Sequence, residues 1–194
     1  MNIQPVELTG LRAKLVPMRE EHIDALYEAG NYPDIWTYMP WEMTEREHMV
    51  NWVRKAMAAE EKGTELAWVV IDQESGEIVG STRYLNIVAG HRQLEIGSTW
   101  YTPAVQRTRI NTECKYLLLR HAFETLDAVR VQIKTDARNE RSQAAIRRLG
   151  ASYEGILRKS MILPDGYIRD TAYFSIILEE WPTVKARLEE FLAR

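Results

Sequence analysis

An α+β fold, with one mixed and largely antiparallel sheet, is what this sequence predicts, and three observations carry the prediction. Two alternating apolar runs, Glu65 to Ile71 and Glu77 to Leu85, are separated by Gln73-Glu74-Ser75-Gly76, a hairpin signal. A second pair, Ile156 to Leu163 and Tyr167 to Leu178, brackets Pro164-Asp165-Gly166, a turn by composition. Other segments carry apolar residues at three- and four-residue spacing, as amphipathic helices do.

Taken in order, residues 6 to 16 form a strand interrupted by the Thr9-Gly10 turn. Arg19 to Ala29 reads as a helix with Ile23, Leu26 and Tyr27 on one side and Gly30 as its stop. The aromatic, proline-bounded stretch from Asn31 to Trp41 is a loop or short helix. Thr44 with Glu47 makes a capping box for a helix to about Lys62, whose buried face is Met49, Trp52, Val53, Ala56 and Met57. The first hairpin follows. Val129 to Thr135 is a strand, Glu140 to Leu149 a helix, and Trp181 to Leu192 a last amphipathic helix behind the second hairpin.

The organising stretch is Arg92 to Leu126. Leu94, Ile96 and Ser98 alternate with Glu95, Gly97 and Thr99, as in a strand packed differently on its two faces. Pro103 breaks it, a loop rich in hydrogen-bonding side chains follows, and Leu119, Ala122, Phe123 and Leu126 have helical spacing. A strand feeding a helix this way points the unpaired N–H groups of the first helical turn beyond the strand end, where they suit an anion.

Composition narrows the function classes. The 194 residues are 45% apolar and 27% charged, which suits a globular chain with its own core. No repeat, low-complexity tract or linker is visible, so residues 1–194 are expected to form one domain. One cysteine excludes an internal disulfide framework, and no apolar run nears the ~18 residues that span a bilayer. The N-terminus lacks the regions of a signal peptide. A cytoplasmic protein with no membrane association is the expectation. Net charge is uneven: residues 1 to 100 hold 9 Lys/Arg against 16 Asp/Glu, residues 101 to 150 hold 10 against 5. The basic middle suits a polyanionic ligand and the acidic first half a cationic amine, although scattered solubilising charge explains the same numbers. With no long basic run, direct nucleic-acid binding is not expected. The histidines show no metal-ligand spacing, and no Walker or dinucleotide fingerprint is present.

Two motifs supply a resemblance. Gln106-Arg107-Thr108-Arg109-Ile110-Asn111 sits where the GNAT superfamily of N-acetyltransferases carries Gln/Arg-x-x-Gly-x-Gly/Ala, the loop that cradles the pyrophosphate of coenzyme A. Both glycine positions differ, being Arg109 and Asn111. Asn tolerates positive φ, whereas Arg109 requires a compatible backbone or a reshaped loop. Arg107 and Arg109 bring positive charge toward phosphate. Asn139-Glu140-Arg141-Ser142, Arg148-Leu149-Gly150-Ala151 and Glu154-Gly155 resemble the signature of the ribosomal-protein N-terminal acetyltransferase branch. The resemblance spans roughly residues 6 to 178 and implies splayed central strands holding a pantetheine arm. It also implies acetyl-CoA as cosubstrate and an amine acceptor, either a small molecule or a protein N-terminus.

On that resemblance, Gln106, Arg107, Thr108, Arg109, Ile110, Asn111 and Thr112 hold the cofactor, joined by Asn139 and Ser142. Glu95 is the first candidate for the base, directly or through water. Near an apolar interior, desolvation would strengthen its hold on a proton; the alternative is a solvent-facing or salt-bridged strand glutamate. Ser142 is a possible proton donor, since the tyrosine many GNAT enzymes place seven residues after the Asn is here Ile146; Tyr153 or water are alternatives. Asn139 can equally be a helix cap. Trp36, Tyr38 and Trp41, with Tyr84 and Arg83 as weaker members, are candidates for the acceptor wall, though core packing accounts for such rings equally well. Cys114, in the first turn of the loop helix, has a thiol the helix dipole would acidify, but small-residue packing is the simpler role. An acetyl-CoA-dependent N-acetyltransferase acting by direct attack of a primary amine is the leading reading. A non-catalytic acyl-CoA-binding or interaction protein on the same scaffold is the rival, and a homodimer is compatible with either.

Overall fold

The computed structural model describes residues 1–194. Its centre is a sheet of eight strands in the order β1-β2-β3-β4-β5-β6-β8-β7. These are β1 (Leu8–Thr9), β2 (Ala13–Pro17), β3 (Leu66–Asp72), β4 (Glu77–Val88), β5 (Gln93–Tyr101), β6 (Arg130–Asp136), β7 (Ser152–Ile162) and β8 (Ile168–Ile177). Six α-helices flank it: α1 (Ile23–Gly30), α2 (Pro33–Trp36), α3 (Arg46–Glu61), α4 (Arg109–Arg120), α5 (Glu140–Leu149) and α6 (Trp181–Ala193).

Both predicted hairpins are present as β3–β4 and β7–β8, and every neighbouring pair is antiparallel except β5 with β6. That parallel pair is the architectural hinge. Its ladder runs from Gln93↔Arg130 to Ile96↔Ile133 and stops, although β5 continues to Tyr101 and β6 to Asp136. Just past the last rung, Ser98 adopts φ 48° and the β4–β5 register shifts between Ser81 and Arg83. Such a bulge re-aims a strand. Beyond it β5 and β6 part, leaving a V whose inner edges are free to bond something else.

Strand alternation then fixes two cores. On one face Leu94, Ile96, Val131, Ile133 and Phe174 join Leu118 and Leu119 of α4 and Leu188 of α6. On the other, Ala67, Val69 and Trp100 join Leu26 of α1 and Met49, Trp52, Val53 and Ala56 of α3. Glu95, out of phase with Leu94 and Ile96, belongs to the second face.

Local departures have local causes. The Thr44–Glu47 capping box does not form: α3 starts at Arg46 with Glu45 at its cap, and the Thr44 amide instead lies 3.3 Å from His48 Nδ1. The predicted Arg19 to Ala29 helix opens with a 3₁₀ turn, Glu20–His22. The helical period from Leu119 to Leu126 is genuine, but after Arg120 the chain makes a π turn, His121–Thr125. β7 begins at Ser152 rather than Ile156, so Glu154-Gly155 lies within a strand, bent where Gly155 and Lys159 take positive φ.

Candidate active site

A cleft of about 1490 Å³ passes through the V. At one mouth lie Gln106 to Arg109, Asn111 and Thr112; at the other, Tyr38, Trp41, Lys134 and Arg169, with Glu95 between them.

The first mouth is made by the chain leaving β5. After a 3₁₀ turn, Pro103–Val105, Thr108 caps α4 by accepting the Ile110 amide on its hydroxyl. The amides of Arg107, Arg109 and Asn111 have no protein acceptor. The positive φ of this loop falls on Arg107, at 62°, and not on the two positions where glycine is replaced. Arg109 is an ordinary first helical residue, so its bulk does not reshape the loop. Left-handed backbone at a non-glycine residue costs about 1 kcal/mol, and here it turns successive N–H groups toward one hollow, an anion-binding geometry.

The two loop arginines then part company. Arg107 is exposed at the mouth, whereas Arg109 donates from Nη2 to the carbonyl of Leu192 in the last turn of α6, 2.8 Å away. One end of the Arg109 guanidinium is thus tied to a helix C-terminus, where positive charge is favourable, although the residue still lines the cleft. Two further arginines of α5, not among the candidate cofactor residues, line the same mouth. Arg148 donates to Thr112 Oγ1 at 2.8 Å, and Arg141 donates to Gln106 Oε1 at 2.9 Å, while Gln106 Nε2 holds the carbonyl of Tyr101. The amphipathic period of α5 and its charged outer positions were the available signal. Ile110 is wholly buried in the core and takes part only through its backbone.

Asn139 is the N-cap of α5, its Oδ1 accepting the Ser142 amide at 3.0 Å. Ser142 Oγ makes no hydrogen bond within the protein and lines the cleft beside Ile146.

At the centre, Glu95 is 1% exposed. Its Oε2 accepts from Gln132 Nε2 (2.8 Å) and Asn86 Nδ2 (2.9 Å) and stands 3.1 Å from Lys134 Nζ. Its Oε1 is buried without a partner. One oxygen is thus anchored and the other left free. Gly97 keeps that free oxygen uncrowded, because a Cβ there would sit 3.1 Å from Oε1 and 2.7 Å from Leu85 Cδ1. Of the alternative to a base, the solvent-facing form is excluded and the salt bridge is present on Oε2, while Oε1 stays free at the cleft.

The aromatic set divides. Tyr38 and Trp41 line the cleft. Trp36 does not: its indole N–H bonds the Gly30 carbonyl at 2.8 Å and its ring packs on Trp100. Nor does Tyr84, which is fully buried, edge-on to Trp68 with its hydroxyl on the Leu118 carbonyl. Both corrections have one cause: a ring's spacing in sequence does not say which face of its element meets the core. Arg83, the other weaker candidate, does line the cleft, beside Trp52, its guanidinium 3.8 Å over the indole and paired with Glu65.

Two titratable groups on α4 are unusual. Cys114 is fully buried and its thiol is pushed up to about 12 by burial, the reverse of the dipole effect, which settles it as packing. Lys115, 6% exposed, donates to Thr99 Oγ1 at 2.8 Å, and burial draws its ammonium down to about 8.

A strand pair that opens at a bulge, a loop of free amides at a helix start and a buried carboxylate at the vertex together form one cleft with an anion-binding geometry at its mouth. The chain belongs to the GNAT acetyltransferase family, a family of acyltransferase enzymes: the acetyltransferase (GNAT) domain matches residues 12–152. Among individual relatives, a protein of Bacillus subtilis (strain 168) named as a ribosomal N-acetyltransferase, YdaF, is 31% identical over 106 residues, 55% of this chain and 57% of its own length. A crystal structure described as an acetyltransferase from T. thermophilus is 36% identical, covers 99% of this chain and 100% of its own, and superimposes with a TM-score of 0.89. A GCN5-related N-acetyltransferase from Brucella melitensis is 28% identical, covers 98% and 86%, and gives 0.91. No helix of this chain is long and apolar enough to cross a membrane.

Proposed function

We propose that residues 1–194 act as one domain that transfers acetyl from acetyl-CoA directly to a primary amine. The observation that carries this reading is the continuity of the cleft from the free amides of Arg107, Arg109 and Asn111 to the free oxygen of Glu95. The residues fit the group. Unpaired edges of β5 and β6 suit the amides of a pantetheine arm, and Arg107, Arg141 and Arg148 suit phosphate. Asn139 Nδ2 and Thr112 extend the polar lining.

Acetyl-CoA, when bound, supplies the acetyl carbon as a thioester. This chain's residues position the amine against it and manage protons. Holding the two reactants in line accounts for most of the acceleration. Glu95 accepts the amine proton on Oε1, directly or through water, while Gln132, Asn86 and Lys134 fix Oε2 so that the carboxylate does not turn away. The new C–N bond replaces the C–S bond, and the departing sulfur takes a proton. Ser142, with its unengaged hydroxyl, is the side chain we assign to that step. Tyr38 and Trp41 flank the amine on the opposite mouth. The relative named as a ribosomal N-acetyltransferase supports a protein N-terminus as acceptor.

The test is a kinetic assay of thiol release from acetyl-CoA with a panel of peptides and small amines, alongside calorimetric titration with CoA. Turnover with at least one amine, and a Glu95→Gln variant that binds CoA normally but turns over far more slowly, is the expected result. CoA binding without turnover on any amine would overturn the reading in favour of a binding protein.

A further inference from the structure

Beyond Glu95, one face of the sheet runs along β6 and β8 as a polar floor of Lys134, Asp136, Thr171 and Arg169. Lys134 faces Tyr173 across the ladder and Asp136 faces Thr171, with Arg169 the next residue on that face of β8. Charges on this floor pair off until one remains. Lys134 is taken by Glu95 and Arg138 by Asp136, at 3.1 and 2.8 Å. Arg83 on the neighbouring wall is taken by Glu65.

Arg169 is the exception. It is 5% exposed, and no carboxylate approaches its guanidinium within ion-pair distance. Nε donates to Thr171 Oγ1 at 3.1 Å and Nη1 to the Tyr38 carbonyl at 3.2 Å. Nη2 has no protein partner and is not sealed in, leaving that end of the fork to the cleft. An arginine keeps its charge even when burial disfavours it, and a buried cation without a counter-ion is costly. Asp136 attracts it only at longer range: burial pushes that carboxyl up, but hydrogen bonds from the Arg138 side chain and amide, with the charges of Arg138 and Arg169, bring it below its usual value, and its ion pair is made with Arg138.

Resting on the acetyltransferase reading above, we infer that the acceptor is an extended peptide-like amine bearing a carboxylate beyond its amino terminus, and that the open Nη2 of Arg169 receives that carboxylate. The amine lies at Glu95 and the carboxylate at Arg169, with Lys134 and Asp136 on the floor along β6.

The experiment compares peptides with a common N-terminal serine that carry Asp, Asn or Lys at positions two to four. Each is titrated into the full chain saturated with CoA and assayed for acetylation with acetyl-CoA. Acidic peptides should be favoured over neutral ones by about tenfold or more in Kd and kcat/KM, as one charge-assisted pair allows. Arg169→Gln should reduce that ratio to near one with much smaller effect on the neutral peptide and none on CoA, and Arg169→Glu should shift preference to the Lys peptides. Equal use of acidic and neutral peptides by the unaltered protein, or no binding of any, would overturn the proposal without needing a variant. So would Arg169→Gln weakening all peptides alike, the mark of a mere loop tether. Preferential binding of acidic peptides with no acetyl transfer would support this inference while sinking the catalytic reading.

Discussion

The ammonium of Lys134 stands 3.1 Å from Oε2 of Glu95, and because Gln132 and Asn86 donate to that same oxygen, Oε1 is the only free end of the carboxylate. A strand glutamate thereby becomes an oriented proton acceptor at the vertex of two diverging strands. Orientation is what the surrounding donors provide.

If Glu95 takes the amine proton, Glu95→Gln should lower kcat by about 10²- to 10⁴-fold, the usual contribution of a positioned base. The Kd for CoA should stay within a factor of two or so, since Gln preserves the hydrogen-bonding outline. Steady-state kinetics beside calorimetry separates the two. A parallel loss of CoA affinity would instead make Glu95 part of the cofactor wall.

Arg148 and Arg107, and not Arg109, should matter for the phosphates. Replacing both with Ala is expected to raise the KM for acetyl-CoA by about tenfold or more, at roughly 1–3 kcal/mol for charge-assisted contacts. Acetylated pantetheine lacking the phosphates should be affected far less. Arg109→Ala should act on stability through the lost Leu192 contact, which thermal melting would register while the KM ratio stays flat.

Burial lowers the Lys115 pKa to about 8 from an ordinary 10.5. The folded state therefore holds this proton less tightly than the unfolded chain, so the buried charge opposes folding below pH 8, and stability rises as pH moves from about 8 to 10.5. Lys115→Met should be more stable at neutral pH by about 3 kcal/mol, an order-of-magnitude figure. That advantage should shrink across the same window. Denaturant melts of both proteins at several pH values would show it, and a gap that does not close would contradict the linkage.

Tyr84 and Trp41 share one expectation from sequence but should behave oppositely. Tyr84→Phe strands the Leu118 carbonyl and should cost about 1–3 kcal/mol of stability, leaving the acceptor KM unchanged. Trp41→Ala should raise that KM with a smaller effect on the melt. An acceptor KM that responds to Tyr84→Phe would put the phenol back in the wall.

Much of the fold was legible because its signals are local. The Gln73-Glu74-Ser75-Gly76 hairpin, the strand that Glu95 sits on and the period of α5 depend only on neighbours a few residues away. The Thr44–Glu47 box failed because His48 competes for the Thr44 amide, a contact at the same range as the motif itself.

What the sequence determined by itself was the order of elements and the strand, loop and helix that make an anion site, since alternation, helical period and turn chemistry act within one segment. Tertiary structure alone decided what each side chain meets. Arg109 finds Leu192, Arg169 finds Tyr38, and Trp36 and Tyr84 turn to the core, each through contacts with elements that folding brings together from elsewhere in the chain. Packing is a competition among all the faces present in the folded molecule, and a window of residues holds only one of them.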